Sequence, residues 1–210
     1  MLALFFSTFA TLFVVIDPVG CAPIFAGLLP GVAAREAART ALRATLVASL
    51  VLFGFALFGT HLLAALHIEL DAFRIAGGLM LFLIALDMVF ETRTRRREDR
   101  ADKVKQGASP TDSGEDIAVF PMAMPMMAGP GSIATVMLLM ARAQGWAEMA
   151  VELAALGAVM VLTLAALAAA QPLMRLLGTR VEGVITRLLG VLLGALAVQY
   201  VVDGVRGVLH

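Results

Sequence analysis

The run Asp17-Pro18-Val19-Gly20-Cys21-Ala22-Pro23 stands in the middle of an apolar stretch over residues 2 to 29, and its reading decides the fold. A stretch of that length crosses the roughly 30 Å hydrocarbon core of a bilayer as a helix. A carboxylate at its centre costs about 2.5–3.5 kcal/mol there, so a plain lipid-facing position for Asp17 is excluded. The Asp-Pro order supplies a reason for tolerating it. Asp before Pro is an N-cap followed by a first helical residue, with the carboxylate placed to accept the free N–H groups of a helix beginning at Pro18. Pro23 removes one further internal bond and frees the carbonyl of Val19. The first apolar stretch therefore reads as two half-helices joined in mid-membrane.

A second cluster, Gly129-Pro130-Gly131-Ser132, repeats this pattern. An offset of 112 carries Pro18 onto Pro130 and Gly20 onto Ser132, and one of 113 carries Arg74 onto Arg187 and Gly77 onto Gly190. The chain reads as one unit written twice. Helix breakers at corresponding places in two halves of a membrane protein point to a binding site near the midplane. Gly129 at the capping position leaves the next N–H groups uncovered, which suits a substrate carboxylate or a water. Ser132 and Thr135 follow, each able to contact a ligand or to bond back to a carbonyl. Upstream, Pro121 and Pro125 with Met122, Met124, Met126 and Met127 predict an irregular, adaptable first half of this segment. The competing reading is that Pro and Gly only kink helices for packing.

Composition sets the class. With 60% hydrophobic residues and a mean hydropathy of +0.92, this is an all-α integral membrane protein. Apolar segments cover residues 2 to 29, 41 to 65, 72 to 91, 117 to 141, 147 to 171 and 183 to 206. Lipid leaves no partner for free backbone groups, so all six are expected to be helices, the first and fourth of them broken. They divide into two three-helix repeats, 1–92 and 117–210, flanking a charged linker at 93–116. If all six cross, thirteen of the sixteen cations fall on the linker side: Arg35, Arg39, Arg43, the seven of the linker, Arg175, Arg180 and Arg187. Only Arg74, Arg142 and Arg206 fall opposite. The linker is then cytoplasmic and both termini are outside, and two three-span repeats must be inverted relative to each other. In a competing topology the broken segments are re-entrant hairpins, leaving four full spans.

Net charge is zero, and its uneven distribution serves orientation, with no nucleic-acid partner implied. Cys21 is the only cysteine, which excludes an intramolecular disulfide. The first apolar run has no Lys or Arg before it and exceeds a secretory h-region, so it reads as a retained span. There is no H-E-x-x-H, no G-x-S-x-G and no His/Cys set at metal-ligand spacing, so neither an enzyme nor a metal site is expected.

The third and sixth segments carry further matched residues. Arg74 and Asp203 lie about one turn inside the outer face, Asp87 and Arg187 about one turn inside the cytoplasmic face. The geometry permits two ion pairs, Arg74 with Asp203 and Asp87 with Arg187, read as alternating gates or static clamps, the alternative being snorkelling charges with no partner at all. Gln199 is read as a substrate contact or as interhelical glue. Trp146, His61 and His67 belong to the outer interface, and Gly77, Gly78, Gly190 and Gly194 suit close helix contact.

Together, Asp17-Pro18-Val19-Gly20 with Pro23-Ile24-Phe25, Met124-Pro125-Met126-Met127-Ala128-Gly129-Pro130-Gly131, Arg74-Ile75-Ala76-Gly77-Gly78, and Ala197-Val198-Gln199-Tyr200 leading to Asp203-Gly204 resemble the MarC family over essentially the whole chain. The resemblance implies a six-span inner-membrane protein of bacteria or archaea, in a family some of whose members are described as neutral amino-acid transporters. One departure stands out. Where that family usually has Asn after the first Gly, this chain has Cys21, so a side-chain amide contact to substrate is not expected.

The function expected from these features is secondary transport of small neutral amino acids by alternating access of two inverted repeats. Asp17, Pro18, Gly20, Cys21, Pro23, Gly129, Pro130, Gly131, Ser132, Thr135 and Gln199 are the candidate substrate-binding residues. No cofactor is expected beyond a coupling proton or sodium ion, and the partners are the bilayer, a small solute and, left open, further copies of the chain. Alternatives are an exporter or channel for another small solute or ion, and a non-transporting membrane scaffold or sensor.

Overall fold

A computed structural model describes residues 1–90 and 118–209, so the linker at 93–116 and its seven cations lie outside the described residues. Every regular element among the described residues is helical: α1 (Leu2–Ile16), α2 (Pro18–Leu28), α3 (Ala34–Ala65), α4 (Leu70–Val89), a π-helical segment (Ala118–Met127), α5 (Pro130–Arg142), α6 (Trp146–Ala168) and α7 (Ala170–Leu209).

Among the described residues, five stretches are long and apolar enough to cross a bilayer: Leu2–Leu28, which joins α1 and α2, then α3, α4, α6, and Gly183–Leu209 of α7. The six-span expectation meets its limit at the fourth segment. Residues 117 to 141 divide into the ten-residue π-helical segment and the 13-residue α5. At 1.5 Å per residue α5 reaches only about 20 Å, short of a full span by itself. The break upstream has a covalent cause. Pro121 and Pro125 carry no N–H, and an α-helical ladder through them loses two bonds.

The connection between the last two segments also differs from its expected place at 172 to 182. The chain turns at Ala169 and then continues as one 40-residue helix from Ala170. Pro172 is the third residue of α7, where an N–H would have no intrahelical acceptor, so the ring is accommodated. Beyond it Arg175, Arg180 and Glu182 interrupt the apolar pattern without interrupting the helix, since Arg and Glu are good helix formers.

On α3, Ala41, Ala44, Ala48, Leu52 and Ala56 are buried at spacings of three and four, forming the face that packs on α6, α5 and the π-helical segment. Small side chains let backbones approach, which is how helices associate where lipid offers no hydrophobic drive. The opposite surface carries exposed Leu46, Leu50 and Phe58, and other helices add Leu83, Val161 and Leu188. An apolar exterior of this extent is what acyl chains cover.

The most extensive helix pair is α4 with α7. Its closest approaches run in opposite chain directions: Gly204 meets the backbone of Asp71 and Ile75, Gly78 meets that of Ala197 and Val201, and Gly190 meets Ala85, Met88 and Val89. The two helices are therefore antiparallel, and glycine lines the seam on both sides. A Cβ on Gly78 would lie 2.8 Å from the Ala197 carbonyl oxygen, which cannot rotate away.

Gly78→Val is expected to lower stability by about 1–3 kcal/mol, the usual cost of overpacking. Gly54→Ala is its control, because an added Cβ there meets nothing within 4 Å. It should leave stability unchanged or raised. Thermal unfolding in detergent measures both, and equal effects would mean that the seam is not a close contact.

Candidate functional site

Asp17 is the whole of the first break. Its φ and ψ of 55° and 65° are left-handed, a conformation that Asp adopts more readily than most residues because its short polar side chain bonds locally. Its N–H donates to the Phe13 carbonyl at 3.0 Å and so closes α1, while its own carbonyl accepts the Cys21 N–H at 3.0 Å. The carboxylate accepts the Gly20 N–H at 3.0 Å. One residue thus ends one helix and caps the next. Pro18 follows at the first helical position, where its missing N–H costs nothing. Gly20 is required by space, since a Cβ there would run into the Asp17 carboxylate. Cys21 is fully buried and its thiol points to the Ile16 carbonyl at 3.6 Å. Pro23 sits inside α2 without ending it.

The second break is built differently. The Ala128 N–H donates to the Ala123 carbonyl at 2.9 Å, five residues back, and Gly129 is then extended with φ −83° and ψ 171°. Pro130 starts α5, and the Ile133 N–H returns to the Gly129 carbonyl at 3.0 Å. Helix geometry gives the Gly131 and Ser132 N–H groups no intrahelical acceptor, and among the described residues no side chain caps this end. Both residues are buried, whereas Pro130 is exposed. The Thr135 hydroxyl donates to the Gly131 carbonyl at 2.8 Å, which commits it to its own helix. A Cβ on Gly131 would run into Ile84 of α4. The first break therefore carries its own anion, and the second presents uncovered donors.

α2, which follows the first break, packs on the π-helical segment that leads into the second. Ile16, Cys21, Ala22 and Phe25 share one core with Met122, Met126, Met127 and Ala128. Val15, one residue earlier, belongs to a second core with Leu81, Leu138, Leu193 and Tyr200. The first break thus sits where the two cores meet.

The outer ion pair is re-partnered relative to expectation. Arg74 donates to Asp71 at 2.7 Å, and Asp203 receives Arg142 at 3.3 Å. Asp71 lies one turn back on α4 and needs no reach across helices. Arg142 comes from the last turn of α5 and stacks over the Tyr200 ring, 5.0 Å from its centre. Gln199 is exposed and donates to Asp203 at 2.7 Å, so it belongs to this polar cluster. Asp87 and Arg187 occupy α4 and α7, and each has interaction partners. At the same end Glu148 accepts the Gln144 N–H at 2.6 Å and secures the start of α6. Sequence reasoning passed over Glu152 and Thr8, buried polar residues of α6 and α1. The available signal was a Glu within an apolar span, which is a site hypothesis by default.

Broken helices inside a bundle with an apolar exterior define a polytopic integral membrane protein. The sequence matches the profile of MarC family integral membrane proteins over residues 2–209, and the chain belongs to that family. It is 34% identical to a UPF0056 membrane protein of Methanocaldococcus jannaschii, over 98% of this chain and 97% of that one. It is 32% identical to the UPF0056 membrane protein YvbG of Bacillus subtilis, over 95% of this chain and 92% of the relative. With the UPF0056 membrane protein YhcE of Escherichia coli identity is 31%, over 97% and 93%. No solved structure matches the chain.

Gly20→Ala should destabilise the protein by about 0.5–2 kcal/mol, the value of a lost cap, because the new methyl displaces the carboxylate. Asp17→Asn should cost less, since Asn still caps and still tolerates a left-handed backbone. A melting temperature that Gly20→Ala leaves unmoved would contradict the cap. For the polar cluster, a double-mutant cycle of Arg142→Ala with Asp203→Asn should give a coupling of up to about 1 kcal/mol, as for partly exposed pairs. The same cycle with Arg74→Ala should give a coupling near zero.

Proposed function

We propose that this protein is a secondary transporter of small neutral amino acids, with the substrate held between the two breaks and exposed alternately to each side. The observation that carries the reading is the asymmetry of the breaks. The buried N–H groups of Gly131 and Ser132 at the start of α5 are uncovered, and they suit the carboxylate of a zwitterion. The Asp17 carboxylate at the other break gives an α-ammonium group an anionic counterpart. Methionines along the π-helical segment, Met122, Met126 and Met127, supply adaptable apolar surface for a small side chain. In this reading Pro18, Gly20, Cys21, Pro23, Gly129, Pro130 and Thr135 shape the backbone around the substrate and do not contact it through polar side chains. The antiparallel packing of α4 on α7 is what two inverted repeats would produce, with both termini outside and the linker cytoplasmic.

Counterflow of labelled neutral amino acids in proteoliposomes tests the reading. Wild-type protein should exchange at least one, and Gly131→Leu should lose exchange at least tenfold, because its side chain runs into Ile84 of α4 and displaces the start of α5 that carries the uncovered N–H groups. Full exchange by Gly131→Leu, or no exchange of any amino acid by wild type, would refute it. Tags at Met1 and at Gly107 should report opposite faces, and a shared face would refute the inverted arrangement.

A further inference from the structure

Glu152 lies six residues into α6, about 9 Å from its first residue at 1.5 Å per residue, and is only 5% exposed. It lines a cavity of about 10 Å³ between α1, α3, α5 and α6, together with Thr8, Leu12, Ala56, Val136 and Met140. Oε2 of Glu152 and the hydroxyl of Thr8, a residue 2% exposed, have no hydrogen-bond partner among the described residues. Two residues that line one small void thus each carry a buried polar atom without a partner, while the surface of the void itself is apolar.

The chemistry of the lining narrows what fills it. An ionised carboxylate beside hydrocarbon with an unsatisfied oxygen is costly, and it is relieved by a cation or by a proton. A bare hard cation needs a shell of oxygen donors. This cavity offers one carboxylate and one hydroxyl, and its remaining lining is apolar side chains. A proton needs far less. It turns Oε2 into a donor, and the void beside the two residues leaves room for a side-chain rotation that brings this donor to the Thr8 hydroxyl.

We propose that Glu152 and Thr8 form a proton-binding site, in which Glu152 as a neutral carboxylic acid turns its O–H across the void to the Thr8 hydroxyl. Loading forms the O–H bond with a proton from bulk water, and unloading returns the proton to it. The charged and titratable groups acting on this carboxyl are Glu148 on its own helix, Arg142 on α5 and Tyr200 on α7. Arg142 is at the same time paired with Asp203. From α1 and α3 come Thr8, Leu12 and Ala56, none of which titrates, and the only titratable side chain of α2 is Cys21. The site is separate from the two breaks. Its use as a coupling site rests on the transport reading, whereas proton binding itself does not.

Infrared difference spectroscopy on the purified full chain in lipid nanodiscs, without substrate, tests the proposal. At neutral pH in potassium chloride a protonated-carboxyl band is expected that shifts in D₂O, disappears in Glu152→Gln and persists in Asp17→Asn. Thr8→Val should shift that band by removing its hydrogen-bond partner. Absence of any band removed by Glu152→Gln would overturn the proposal. So would erasure of the band when sodium replaces potassium at constant pH, which would make the occupant a cation. Should Glu152→Gln not fold, Thr8→Val decides, and an unshifted band overturns the idea. A protein that binds the proton but fails amino-acid counterflow would retain this site and lose only the transport reading.

Discussion

Hydrocarbon provides no partner for a free backbone N–H, and the bond from Gly20 to the Asp17 carboxylate is where this protein meets that constraint most directly. Interrupting a helix in mid-membrane releases several donors and acceptors at once. A carboxylate would ordinarily be a liability at that depth. Here it satisfies the donors the break creates, and the break in turn gives the charge a bonded position, so neither is stable without the other. The neighbouring residues follow from this pairing. Pro18 removes one donor, and Gly20 leaves room for the carboxylate.

The second break solves the same problem by another route, and the difference carries the functional interest. Gly129 contributes no side chain, and the residues before it form a π-helix in which the Ala128 N–H reaches back five residues. The two breaks differ in character, one holding a carboxyl group and one donor-rich, and α2 after the first packs on the π-helical segment before the second. Around them the antiparallel α4 and α7 approach closely along glycines, and the alanine face of α3 closes the other flank.

Much of this was legible in the sequence, for stated physical reasons. Asp-Pro and Gly-Pro inside apolar stretches fix helix starts almost by covalent structure, and both starts lie where the sequence places them, at Pro18 and Pro130. The family likewise followed from its motifs. The partners of ionic groups were not legible, because they depend on helix rotation and on which charge is nearest. Arg74 has Asp71 one turn away on its own helix, and Asp203 is reached by Arg142 from α5, a pairing across 61 residues that periodicity does not encode. The long α7 was missed because hydropathy marks where lipid lies and not where a helix ends. Glu152 inside an apolar span was a signal passed over, whereas a lone Thr8 is ordinary, and only packing places the two residues beside one void.

The interruption between α1 and α2 is confined to a single residue, since Asp17 is both the last cap of one helix and the first cap of the other. Any change of torsion at such a joint would swing the 11-residue α2 as a lever arm. The arm is about 16 Å long at 1.5 Å per residue, so a rotation of roughly 10° at the pivot sweeps its far end through about 3 Å. A change in backbone torsions at one position would thereby become a displacement at the far end of α2.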